Sequence, residues 1–398
     1  MSKNGGISLV VYVHGWKHNA HAQDDNVKQF HSMLQSVSLV EKTFPLENRR
    51  RVVGIYVSWR GLSATLEPFK EASFWARKTA ALHVAQGSAR YFLARLRAFQ
   101  RTENCKANSD LCAPAIRQTK VEVAKLKQDT LRAKVRMIVI GHSFGGLIVF
   151  NAISEYLIES LTEEGEGSTE ASHSPVPVQR FADMVNLLNP AFEAIRYTPL
   201  QRVAARRAYD HYQAPILVSI TSSADIATRV FFKAGRQLNT VLEHEASEEE
   251  SLANVNTVGN VEQYITHDLT GVRPDGAPVV CPAWIEGPKT PQQMKANLRL
   301  EAKEAASFIA HWGQPTGDDQ VSLRPFWTRS FRGGATLTHR TRGANPESPY
   351  LQNNPNSPIW NVRTDASLVP SHSDIDGPFF AAFIRQLYHD SAMFPAIE

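Results

Sequence analysis

The residues from Val135 to Phe150 constrain this chain more than any others. A nearly continuous apolar run, Val135-Arg136-Met137-Ile138-Val139-Ile140, stops at Gly141-His142-Ser143-Phe144-Gly145-Gly146 and resumes at once as Leu147-Ile148-Val149-Phe150. The pattern reads as a buried parallel strand, a sharp turn and a helix. Gly141 and Gly145 remove side chains where strand and helix cross closest, so the turn can close with Ser143 in a strained conformation and its Oγ above the sheet edge. The serine also stands at a helix N-terminus, where unpaired N–H groups face an incoming anion. A glycine-rich turn that only ends a strand is the bland alternative; the presence of both flanks weighs against it.

Further short apolar runs surround this one. Ile7 to Val13 reads as a strand ending in His14-Gly15-Trp16, and Val52 to Ser58 as a second, buried strand ending in Trp59-Arg60-Gly61. Asp183 to Leu188 ends at Asn189-Pro190, Ile216 to Ile220 runs toward Asp225, and the last strand falls near Ile359 to Arg363. Helical periodicity begins after Asp24 and Asp25, either of which can cap it, and returns over Phe69 to Phe99, Met294 to Trp312 and Phe379 to Tyr388. Sequential strands with helical crossovers predict an α/β fold, a mostly parallel sheet of about six strands flanked by helices. The expected division is a core over 1–228 with a helical excursion at about 62–134, an insertion over 229–355 without obvious sheet pattern, and a return to the core over 356–398. The insertion is the natural candidate for a lid or pocket wall, with Trp284, Phe308, Trp312, Phe326 and Trp327 as its apolar members.

A His-Gly turn after an early strand, joined to Gly-x-Ser-x-Gly after a later one, resembles the α/β-hydrolase family of serine esterases and lipases. The resemblance implies an order of serine, acid, histidine. Ser143 would be the nucleophile, Asp225, just past a later strand, the acid, and His372, in Pro370-Ser371-His372-Ser373 after the last strand, the base. It also implies an oxyanion hole from the amides of Phe144 and Trp16. His14, Gly15 and His142 are candidate pocket residues, and Trp59 either lines the pocket or packs its loop, with packing favoured. Asp183 begins its strand, at the wrong edge. His267, His311 and His339 fall inside the insertion, and His389 at the far end of the terminal helix. The implied activity is hydrolysis of carboxylic esters through an acyl-enzyme, without metal or organic cofactor. Action on long-chain lipids, or a non-catalytic binding protein of the same fold, stand as alternatives.

Composition narrows the partners. At 398 residues and 42% hydrophobic, the chain can bury a large core without cysteine staples, and Cys105, Cys112 and Cys281 read as incidental thiols, although the first two are near enough to pair. A formal net charge of +4 is modest, and no basic-aromatic module for nucleic acid is present. Small-molecule or lipid esters fit better, with peripheral lipid contact open. Met1 to Gly6 leads straight into a strand without signal-peptide architecture, and the early apolar run Ile7 to Val13 is too short for a membrane span, so a cytoplasmic protein is expected, with export by a signal-independent route left open. His14, His18 and His21 invite a metal reading, but they lack a converging second shell in sequence.

Overall fold

Alternation along one strand organises two cores. In Ile7–Val13 (β1), Leu9, Val11 and Val13 pack into one hydrophobic cluster while Val10 and Tyr12 pack into another. A strand buried on both faces requires helices on both sides of its sheet. These coordinates are a computed structural model in which residues 5–42, 46–61, 70–107, 133–162, 178–205, 209, 214–239, 247–271, 292, 328–330, 335–340, 357–377, 380–381, 383–385 and 387–388 are described.

The strands after β1 are Arg51–Val57 (β2), Val135–His142 (β3), Met184–Leu188 (β4), Leu217–Ser222 (β5), His267–Thr270 (β6), Thr328–Ser330 (β7), Thr336–His339 (β8) and Ile359–Thr364 (β9). They form one sheet in the order β2-β1-β3-β4-β5-β9-β6-β8-β7. Pairing is parallel from β2 through β9 to β6, and antiparallel for β6–β8 and β8–β7. Asp25–Glu41 (α1) is capped by the Asp24 side chain, which accepts from the Asn26 N–H. With the helical residues Phe380, Phe383, Leu387 and Tyr388, it covers the Val10/Tyr12 face.

Lys70–Val84 (α2), Arg90–Ala107 (α3) and Phe144–Thr162 (α4) cover the other face, α2 and α3 running on through a π-helical turn at Ala85–Ala89. Thr198–Ala205 (α5), Phe232–Asn239 (α6) and Glu248–Val255 (α7) complete the layer. Helix α4 has the length and apolarity of a membrane span, yet it is the central core helix, with Leu147, Ile148, Val149, Ile153 and Leu157 buried.

Several expectations are corrected here. Among the described residues the sheet has nine strands, not about six, because the stretch expected as an insertion without sheet pattern supplies β6, β7 and β8. These strands are three or four residues long, too short for alternation to stand out. Strand β2 is half-exposed, not buried, because it is the sheet edge. Cys105 is disulfide-bonded and so is not an incidental thiol; Cys112 and Cys281 both lie outside the described residues. Also outside lie the helix expected at Met294 to Trp312, the five apolar insertion residues, His311 and His389.

His267 of β6 and His339 of β8 are buried register partners, their rings 4.9 Å apart. Burial, and then the neighbouring His339, push His267 well below the ordinary histidine value of 6.5. A folded-state pKa held below the unfolded value means the unfolded chain takes up the proton, so this stability is present above about 6.5 and is lost as pH falls through it. Tm measured by calorimetry should therefore fall between about pH 7.5 and about pH 5.5. A His267→Asn variant should show a shallower slope; an unchanged slope would refute the assignment.

Candidate active site

Close packing builds the turn at Ser143. A Cβ added at Gly145 would lie 1.9 Å from the Val13 carbonyl oxygen, and one at Gly141 would lie 2.6 Å from that of Gly145. Strand β3, helix α4 and the end of β1 therefore meet at a distance only glycine permits. Ser143 itself has φ 56°, the left-handed region in which a non-glycine residue is strained. Its N–H donates to Leu188 O at 3.0 Å and its carbonyl accepts from Gly146 and Ala191 N–H groups, so neighbouring elements hold the conformation.

Two distant loops arrive at the same carboxyl edge of the sheet. Asp225, just past β5, is wholly buried; its Oδ1 accepts from the Thr228 N–H at 3.1 Å and its Oδ2 from the Thr228 hydroxyl at 2.7 Å. His372, past β9, lies 2.8 Å from Asp225 Oδ2 through Nδ1 and 2.8 Å from Ser143 Oγ through Nε2. A carboxylate only accepts, so Nδ1 carries the proton and Nε2 presents its lone pair to the serine hydroxyl. Burial pushes the Asp225 carboxyl up, but the hydrogen bonds from His372 and Thr228 outweigh it and leave Asp225 below the usual carboxylate range, ionised beside the imidazole.

The backbone of the His372 loop is held by side chains from four other segments. Ser222 Oγ donates to Val369 O at 2.5 Å, Gln29 Nε2 to Ser373 O at 2.8 Å, and His142 Nε2 to His372 O at 2.9 Å. Asn189 Nδ2 donates to the same His372 carbonyl at 2.9 Å, while its Oδ1 accepts from the Ser222 N–H. Asn189 has φ 43°, which asparagine tolerates better than most residues. Sequence reasoning missed Asn189, Gln29, Ser222 and Thr228. The available signals were a polar residue ending a buried strand at Asn189 and a threonine three residues after Asp225.

Of the four residues read as possible pocket residues, His14, His142 and Trp59 are buried, which for Trp59 is the packing alternative. His14 Nδ1 is 2.8 Å from Gly15 O, its Nε2 accepts from the Trp59 N–H, and Trp59 Nε1 donates to His14 O. Together they tie the loops after β1 and β2. Burial lowers the pKa of His14. His142 is buried too; desolvation first, and then the nearby His372, bring it down to about 3, so it stays neutral as a donor to the loop.

Gly15 packs directly on the serine, an added Cβ falling 2.9 Å from Ser143 Cβ. Trp16 follows it, and Phe144 opens α4. Phe74 joins them, 5.2 Å from Trp16 and 4.8 Å from Phe144 between ring centroids, and Phe232 packs on Phe74 and Trp75. Behind this aromatic wall the buried Lys78 pairs with Glu193. Burial brings Lys78 down to about 8; burial raises Glu193, but Lys78 and Arg196 outweigh it and hold it at about 2.

Asp183 stands at the opposite edge, accepting from Gln100 and from the Met137 N–H. His18 is bonded to Asp24, and among the described residues no cluster of three or more metal-ligating side chains occurs.

No protein-family model and no curated protein matches the sequence. Among solved structures, phospholipase PlaB from Legionella pneumophila in complex with thio-NAD is 16% identical, with 66% of this chain and 45% of that chain covered and a TM-score of 0.28. The chain thus spans less than half of that protein's length, and a likeness of this degree carries no argument.

Replacing Asn189 with alanine should speed hydrogen exchange of the amides in the His372 loop by about tenfold or more while Tm changes little, because the loop loses a buried donor to the His372 carbonyl; exchange as slow as in the parent would refute that role. Gly145→Ala should cost about 3 kcal/mol or more in urea unfolding, since a backbone carbonyl cannot give way.

Proposed function

We propose that this chain is a serine hydrolase of the α/β-hydrolase type that cleaves carboxylic esters through an acyl-enzyme. The observation that carries the reading is the continuous relay of two 2.8 Å hydrogen bonds from Ser143 Oγ through His372 to Asp225. Serine hydroxyls are weak nucleophiles until a base takes the proton, and here Nε2 is aimed at that proton while the buried carboxylate would stabilise the imidazolium that forms. Ser143 attacks the ester carbonyl carbon, His372 receives its proton, and the charge on the tetrahedral oxygen falls near the Phe144 and Trp16 amides. A preorganised donor of this kind is typically worth about 10²–10³ in rate. The alcohol leaves with the proton from His372, and water repeats the sequence on the acyl group to release the acid and free Ser143.

Lipid esters are the second reading, favoured by the half-buried rings of Trp16 and Phe74, the latter packed on the buried Phe144 that follows the serine. Apolar rings there suit an acyl chain better than a charged or sugar-like group. A non-catalytic scaffold would have no need for a buried ionised carboxylate on the imidazole.

A fluorophosphonate probe should label the wild-type protein and fail to label Ser143→Ala. His372→Ala and Asp225→Asn should each lower kcat by about 10⁴-fold. Unlabelled wild-type protein would refute the hydrolase reading. Nitrophenyl esters of increasing chain length then separate the two substrate classes: loss of turnover beyond the shortest chains would exclude lipids.

A further inference from the structure

Exposed large apolar side chains are unevenly placed. Among the described residues they are Leu46, Tyr91, Ile226, Val230, Phe231 and Leu252. Leu46, Tyr91 and Leu252 stand on three separate elements, as single exposed apolar residues often do. Ile226, Val230 and Phe231, exposed by 55%, 47% and 68%, fall together on the turn that begins one residue after Asp225.

The turn cannot roll these side chains inward. Ala227–Phe231 is π-helical, a geometry that brings residues four and five apart to the same side, so Ile226 shares a side with Val230 and Phe231. The opposite side is committed: Thr228 is buried against Asp225 through its hydroxyl and N–H, and Phe232 is buried against Phe74 and Trp75. The Arg229 N–H also donates to Asp225 O at 3.1 Å. Outward display of the three apolar side chains is thus built into the mount that holds the acid of the site.

Charge accompanies the patch. Arg229, which is exposed, and Lys233, one turn further, make no ion pair among the described residues. Lys17 and Arg60, from the loops after β1 and β2, are exposed at the same sheet edge. Acidic groups are carried by other segments: the exposed Asp374 and Asp376 by the His372 loop, and Glu248, Glu249 and Glu250 by the first turn of α7. The cations nearest the apolar side chains in sequence are Arg229 and Lys233, and an apolar cluster with cations at its rim matches a bilayer surface, where tails take the apolar groups and phosphates the cations.

We propose that the turn at 226–231 docks this protein on an anionic phospholipid bilayer, with Ile226, Val230 and Phe231 entering the lipid and Arg229 and Lys233 meeting the headgroups. The proposal rests on the ester-hydrolase reading for its consequence, which is that the sheet edge carrying Ser143, Asp225 and His372 is brought to the membrane surface. It deepens the lipid alternative by naming the surface from which substrate is drawn.

The test uses full-length Ser143→Ala protein, so that vesicles are not consumed, sedimented with phosphatidylcholine vesicles with and without phosphatidylglycerol. Binding should require phosphatidylglycerol. Adding Val230→Asp and Phe231→Asp should weaken it on the order of tenfold or more, as expected for two lost apolar insertions. Arg229→Glu should weaken it further at low salt than at high salt. In the Ser143 background the paired substitution should leave turnover of a soluble short-chain ester and Tm unchanged.

Equal sedimentation of the paired variant and its parent would overturn the proposal, as would equal binding to both vesicle types. So would light scattering that shows a dimer broken by the substitutions while vesicle binding persists, since a second copy would then be the occupant. Failure of the ester-hydrolase reading is read separately: wild-type protein inert toward soluble esters, with phosphatidylglycerol-dependent binding still lost in the variant, removes that reading and supports the docking surface.

Discussion

A carbonyl oxygen on β1 and a glycine on α4 approach so closely that no side chain fits between them, and the geometry at Ser143 depends on that contact. Were α4 displaced outward by even a methyl group, the strand–turn–helix crossing would open and Ser143 would relax from its left-handed conformation. The same contact fixes the loop after β1, because Gly15 rests on Ser143 Cβ. One approach distance thus places both the hydroxyl and the two segments that adjoin it, the loop after β1 and the start of α4. Strain of this kind persists only where surrounding structure over-determines it, and here the bonds of Ser143 to Leu188, Gly146 and Ala191 supply that support.

The second requirement is that His372, on a loop more than two hundred residues further along, be aimed to within a fraction of an ångström. Loops are ordinarily the mobile part of a fold. This one has its carbonyls at Val369, His372 and Ser373 taken by Ser222, His142, Asn189 and Gln29, which come from β5, β3, the end of β4 and α1. Each donor is itself in or beside a buried strand or helix, so the loop inherits the rigidity of the sheet edge. His142 illustrates the economy of the arrangement: the residue preceding the serine reaches across to hold the residue that faces it. Kept neutral by burial, it can donate to a carbonyl without placing a second positive charge beside His372.

Much of this was legible in sequence because it is local. The glycines at 141 and 145, the apolar flanks of Ser143 and the strand-terminal placement of Asp225 and His372 are patterns of a few residues each. What escaped was long-range. Asn189 was visible as the end of a strand, but no spacing relates it to a carbonyl 183 residues away. The strand-end positions of His14, His142 and Trp59 are legible too, but a pocket residue and a packed one look alike there, and only the fold shows these three to be buried. Strands β6, β7 and β8 were missed because their side-chain pattern is too brief to exceed background, and their identity comes from the partners they find.

Those added strands change what β9 is. With the sheet ending at β9, the strand that carries the His372 loop would be an edge, hydrogen-bonded on one side and open to fraying on the other, as β2 is at the far end. With β6 alongside, β9 is paired in parallel on both sides, to β5 through Leu217–Ser222 and to β6 through His267–Leu269. The Asn361 side chain then donates to Val258 O and Tyr264 O, and its backbone accepts from Thr266, stitching the incoming segment to the strand. Strand β6 and the segment from Val258 to Thr266 therefore convert the support of the imidazole from a sheet margin into sheet interior. A loop hung from an interior strand has one well-defined origin, and that is the condition under which four side-chain donors can converge on its carbonyls and hold a 2.8 Å contact to Ser143.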